Sequence, residues 1–94
     1  MVTDDLRAAV GALGARWSIE EPDLVLRLDG PMTRTGEVAA YAGKLADEVD
    51  HHPDIALAYR GLTLRIHTHD AKAITDQDVT YARRLEDWLR AHGW

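Results

Sequence analysis

Cysteine is absent from this chain, and so is phenylalanine. Without cysteine there is no disulfide staple, no thiolate metal site and no cysteine nucleophile. The absence also fits a reducing compartment, and a cytoplasmic location is expected. Long apolar runs are missing: none approaches the roughly 18 residues that a membrane span needs. The opening MVTDDLRAAV turns acidic at once, unlike a secretory or transit segment, so no membrane association is expected. Clusters of Lys and Arg are missing too. With 11 basic and 16 acidic residues and a net charge of −5, direct nucleic-acid binding is not expected. No linker, repeat or low-complexity stretch divides the chain, and residues 1–94 are read as one domain.

What is present is an ordinary globular composition, 46% hydrophobic and 29% charged, enough to support a packed core. Thr3 is placed to cap a first helix whose Leu6, Val10 and Leu13 share one face, and Gly14 to end it. RWSIE and DLVLRLD read as two strands joined by a turn at Pro22. Thr33 or Thr35 is a candidate cap for a second helix over about Gly36 to Asp50. Its Val38, Tyr41, Ala42, Leu45, Ala46 and Val49 recur at helical spacing. Pro53 forbids its continuation and pushes His52 out of the α region. IALAY and LTLRIHTH read as two further strands, with Arg60–Gly61 as a tight hairpin turn. Alternation puts Leu62, Leu64, Ile66 and Thr68 on one face and Thr63, Arg65, His67 and His69 on the other. Thr75 and Asp78 resemble a capping box opening a last helix through Val79, Ala82, Leu85 and Leu89.

The order is therefore helix-strand-strand-helix-strand-strand-helix. Hairpin-linked strands with intervening helices imply an α+β fold of two layers: a four-stranded antiparallel sheet with three helices on one face. So small a sheet leaves edges and a face uncovered, so a homodimer or homotetramer is expected. The alanines of the second helix, Ala39, Ala42 and Ala46, permit close approach and suggest that helix as the association surface.

Five histidines occur, at 51, 52, 67, 69 and 92. His92 reads as a helix-end cation. The others bracket the last hairpin, whose return brings His52–Pro53 within several ångströms of Thr68–His69. Adjacent residues such as His51 and His52 point in different directions on a helix and to opposite faces of a strand, so an irregular backbone is needed if both serve one place. Three readings fit the cluster. It is a polar surface patch, a metal site built on His67 and His69 with His51 or His52 as third ligand, or a metal-free acid–base site using imidazoles near neutral pH.

The stretch DEVDHHPDIALAYRGLTLRIHTHDAKAITDQD carries Asp47, His51-His52-Pro53, Tyr59, His69 and Asp78 at fixed spacings. In this it closely resembles the pterin-4a-carbinolamine dehydratases, and the likeness extends more weakly to both ends. The resemblance implies an antiparallel sheet backed by three helices. It implies an enzyme that dehydrates a 4a-hydroxytetrahydropterin to a quinonoid dihydropterin, with the pterin as substrate and no cofactor or metal. Carried over by position, His51 and His69 become the acid–base pair and His52 a third catalytic histidine that positions the pterin. Pro53, Thr68, Asp70 and Ala71 then line the pocket, and Asp47 and Asp78 support the histidines or cap the local backbone. Tyr59 is expected to pack in the sheet. The family also includes partner proteins that act in assembly without catalysis, which is the alternative role.

The chain departs from the family in three respects. The usual His-x-Ala-Gly-Gly loop reads His69-Asp70-Ala71-Lys72-Ala73 here. Leu26, Leu28 and Tyr41 take volumes where relatives often carry phenylalanine. His67 stands where a small or hydroxyl residue is more usual, as either an idle exposed side chain or a modifier of His69.

Overall fold

A computed structural model describes residues 2–94. Helix α1 (Asp4–Leu13) is capped by the Thr3 hydroxyl, which accepts from Leu6 N at 3.1 Å. Strands β1 (Trp17–Glu20) and β2 (Asp23–Asp29) follow, then helix α2 (Met32–Val49), strands β3 (Asp54–Ala58) and β4 (Gly61–Ile66), and helix α3 (Asp76–Ala91). All strand pairs are antiparallel, in the order β1-β2-β4-β3. The expected fold class and element order are what the chain adopts.

The pleat sorts the core. Leu24 pairs with Ile66, Leu26 with Leu64 and Leu28 with Leu62, so these six side chains share one face. They meet Val38, Leu45, Tyr81, Leu85 and Leu89 from the helices in one buried cluster. Burying each such leucine contributes roughly 1.5–3 kcal/mol, and with no phenylalanine in the chain that aliphatic area carries the core. Three donors fix one buried acid within it. Glu86 accepts from Trp17 Nε1 at 2.9 Å, Arg16 Nε at 3.0 Å and Arg90 Nε at 2.8 Å. Burial alone would raise the Glu86 carboxyl; the Arg16, Trp17 and Arg90 donors outweigh it and hold the group below the usual range. On the opposite sheet face Val25 is fully buried, on the same side as an ion set joining Arg27, Glu20 and Arg65.

Several local expectations shift. Helix α2 begins at Met32 with Pro31 as its cap residue and no side-chain cap bond. Neither Thr33 nor Thr35 caps it: Thr35 lies inside the helix, buried, and turns its hydroxyl back to Pro31 O at 3.4 Å. The β3–β4 turn is Tyr59–Arg60, because Ala58 already pairs with Gly61. Gly61 is needed for another reason: a Cβ there would stand 3.1 Å from Leu28 O on the neighbouring strand. Tyr59 does not pack in the sheet; at the turn it is 86% exposed. Strand β4 ends at Ile66, so His67 and His69 lie beyond it. Of the α2 alanines, Ala42 and Ala46 are buried, Ala39 is partly buried and Ala40 is exposed. The Ala42 carbonyl accepts from Tyr81 Oη at 2.7 Å, so Ala42 and Ala46 pack into the core of the chain itself. Among the described residues no helix is long and apolar enough to cross a membrane.

Candidate active site

The end of α2 decides where the two adjacent histidines go. The helix stops at Val49, and Asp50 takes a left-handed conformation, φ 52° and ψ 49°. The N–H groups of Asp50 and His51 both turn back to Ala46 O, the usual way of closing a helix on a left-handed residue. The reversal therefore occurs three residues before Pro53, which follows it and leads into β3. It sends the two imidazoles apart. His51 turns inward, with its side chain 14% exposed, and His52 outward, at 56%.

Inward lies Asp78, completely buried at the first turn of α3. Its two oxygens have separate tasks. Oδ2 accepts from Thr75 N at 2.8 Å, closing a capping box whose other half is Gln77 N donating to Thr75 Oγ1 at 3.3 Å. Thr68 Oγ1 donates to the same oxygen at 2.8 Å and lies 2.6 Å from Thr75 Oγ1. Oδ1 is left for His51 Nε2, at 2.5 Å. A carboxylate accepts and does not donate, so the proton of this contact lies on Nε2. The other nitrogen, Nδ1, has no protein hydrogen bond among the described residues. In the neutral ring it carries the lone pair.

The remaining candidates are spread over neighbouring positions. His52 Nε2 meets Asp47 Oδ1 at 2.9 Å, but Asp47 is 82% exposed, and exposed pairs contribute about 0–1 kcal/mol. His67 Nδ1 meets Asp23 Oδ1 at 2.9 Å, and its ring stands edge-on to that of His69, centroids 4.7 Å apart. Pro53 is half-buried, whereas His69, Asp70 and Ala71 are exposed. The loop they form is held by Thr68 N donating to Ala73 O at 2.9 Å and Lys72 N to His69 O at 3.2 Å. Lys72 stands at φ 51°, so the backbone keeps a turn that suits glycine although a lysine occupies it. Structure thus joins His51 to Asp78 and Thr68, and His67 to His69. No hydrogen bond links His52 or His69 to His51 among the described residues. Nor do any three of these acidic and imidazole groups gather as a cation would require, among the described residues.

Beside His51 opens a cavity of about 300 Å³ between the end of α2 and the start of α3. Val49, Gln77, Thr80, Tyr81 and Arg84 line it with His51. That volume lies at the small end of ligand pockets. The cleft beside Lys72 and Ile74 is about 80 Å³, too small for a bicyclic ring. Two features escaped the sequence reading. Gln77, Thr80 and Arg84 recur at i, i+3 and i+7 on α3, the periodicity that could have marked a second wall. Asp23 follows from register: once Leu24 pairs with Ile66, the next step of the ladder sets Asp23 across from His67.

Comparison with known proteins agrees with this fold and with the sequence motif. The profile of the family described as "Pterin 4 alpha carbinolamine dehydratase" matches residues 2–88. A protein of Natronomonas pharaonis, provisionally named pterin-4-alpha-carbinolamine dehydratase, is 31% identical over 88 residues, 93% of this chain and 92% of its own length. A Haloarcula marismortui protein with the same provisional name is 35% identical over 75 residues, covering 78% and 80%. A Streptomyces coelicolor relative is 40% identical over 57 residues, and there the match spans 56% of the relative's length. Among solved structures, a transcriptional coactivator/pterin dehydratase from Brucella melitensis superposes with a TM-score of 0.78 at 19% identity, over 92% of this chain and 95% of that one. A pterin dehydratase-like RuBisCO assembly factor superposes with a TM-score of 0.60 at 18% identity, over 77% and 84%. Motif, profile and fold converge, and the chain belongs to the pterin-4a-carbinolamine dehydratase family.

Proposed function

We propose that this protein dehydrates a 4a-hydroxytetrahydropterin to the quinonoid dihydropterin by acid–base catalysis on histidine, without a metal. Two protons must move. The 4a-hydroxyl leaves as water only when an acid protonates it, and N5 gives its proton to a base as the C4a=N5 double bond forms. A neutral imidazole can accept the second proton near pH 7. The observation that carries the reading is the 2.5 Å contact of His51 Nε2 with buried Asp78. It fixes the ring orientation, leaves Nδ1 as the basic nitrogen, and supplies a carboxylate that stabilises the imidazolium formed in the step. His51 is accordingly the base and His69 the acid, with His52 positioning the pterin. The family pattern adds Pro53, Thr68, Asp70 and Ala71 as pterin contacts outside the cavity beside His51, and Asp47 orients His52. Purified protein should accelerate quinonoid formation from freshly generated carbinolamine, and His51→Ala combined with His69→Ala should remove the acceleration.

A second reading is a partner role without catalysis. It is favoured by the outer strand β3 and its turn, where Leu57 is 42% and Tyr59 86% exposed. An open apolar edge can pair with another chain, either a second copy in a homodimer or homotetramer or a different protein. Two fold neighbours carry coactivator and assembly-factor descriptions. Leu57→Lys separates the roles: it should weaken association while leaving turnover per subunit unchanged if catalysis is the task.

A further inference from the structure

His67 has no task in the proton transfers, yet it is more firmly held than His69. Its Nδ1 lies 2.9 Å from Asp23 Oδ1, and both side chains are about three-quarters or more buried, 26% and 19% exposed. The carboxylate only accepts, so Nδ1 carries the proton. That is the less populated tautomer of a free imidazole. Asp23 is itself anchored. Its Oδ2 lies 3.9 Å from Arg65 Nη1, which also reaches Glu20 Oε1 at 3.5 Å, and Glu20 pairs with Arg27. From this anchored ring a T-shaped contact runs to His69, centroids 4.7 Å apart and planes at 63°, a preferred geometry for aromatic pairs. His69 is exposed, and its ring makes no hydrogen bond among the described residues.

We propose that His67 is a positioning residue for His69: Asp23 sets the His67 ring, and that ring holds the His69 imidazole in one orientation at the edge of the site. Its effect on turnover rests on the dehydratase reading; the contact itself does not. The arrangement gives His67 a role outside the proton transfers themselves. It also offsets the exposure of the HDAKA loop, which by itself leaves His69 free to turn.

The test joins spectroscopy to kinetics on the full chain. Long-range 1H–15N spectra at a pH where the imidazoles are neutral should show His67 as the Nδ1–H tautomer. Asp23→Ala, which removes no group bonded to His69, should shift the His69 ring resonances and release the His67 tautomer. In turnover, Asp23→Ala and His67→Ala should lower kcat, by up to about a hundredfold if the ring is displaced by an ångström, with KM nearly unchanged. His67→Phe keeps the ring contact and should recover part of the loss. Unchanged His69 resonances in both Asp23→Ala and His67→Ala overturn the proposal, whatever the activity. If the wild type proves inactive while Asp23→Ala still shifts His69, the positioning stands and the dehydratase reading fails.

Discussion

His51 and Asp78, 27 residues apart in sequence, meet at 2.5 Å through Nε2 and Oδ1. The same carboxylate closes the N-terminus of α3 through its other oxygen. Helix capping and imidazole orientation are thus one structural act. Asp78→Asn keeps the shape but loses the charge that supports an imidazolium. It should lower kcat by about 10²-fold or more, within the range general acid–base groups supply, and cost stability about 1 kcal/mol through the weakened cap. Steady-state kinetics alongside denaturant unfolding separates the two effects.

Lys72 occupies a left-handed position at φ 51°, and its own N–H makes the turn bond to His69 O. A side chain there costs about 1–2 kcal/mol relative to glycine. Lys72→Gly should therefore stabilise the fold by up to about 1 kcal/mol, after the entropy that glycine loses on folding. A urea midpoint at or below that of the wild type would contradict it.

Glu86 supports the join between α1, β1 and α3. Its carboxyl is held below the ordinary value of 4.5 by donors that outweigh burial. A lowered folded pKa means that this stabilisation is complete above the unfolded value and is lost as pH falls through the folded one. Stability should thus decline from about pH 4.5 downward, and the decline should flatten in Glu86→Gln. That variant, which keeps an acceptor for Trp17 but removes the charge facing Arg16 and the largely exposed Arg90, should be destabilised at neutral pH by about 1–3 kcal/mol. Thermal unfolding measured between pH 3 and 7 checks both slopes.

Much of this was legible because periodicity and capping carry over directly into backbone. The element order, the Leu24–Leu26–Leu28 face and the Thr75–Asp78 cap all follow from spacing alone. What escaped depended on tertiary register. Nothing local distinguishes Arg60–Gly61 from Tyr59–Arg60 as the turn; the pairing of Ala58 with Gly61 settles it. The α2 alanines read equally well as inward or outward until Tyr81 is seen bonding Ala42 O. Asp23 had no motif to mark it, only a strand partner. The left-handed Asp50 was hidden by Pro53, a louder stop signal three residues on. It is that reversal which sends His51 to Asp78 and His52 to Asp47.

The central claim is that His51 works as a metal-free base. It is tested most directly by the rate of quinonoid dihydropterin formation from freshly generated carbinolamine, measured with chelator present for wild type and His51→Ala. The account predicts that wild type accelerates the reaction equally with and without chelator, and that His51→Ala loses about 10²–10⁴-fold of that acceleration. A wild type no faster than buffer, an acceleration abolished by chelator, or a His51→Ala variant as fast as wild type would contradict it.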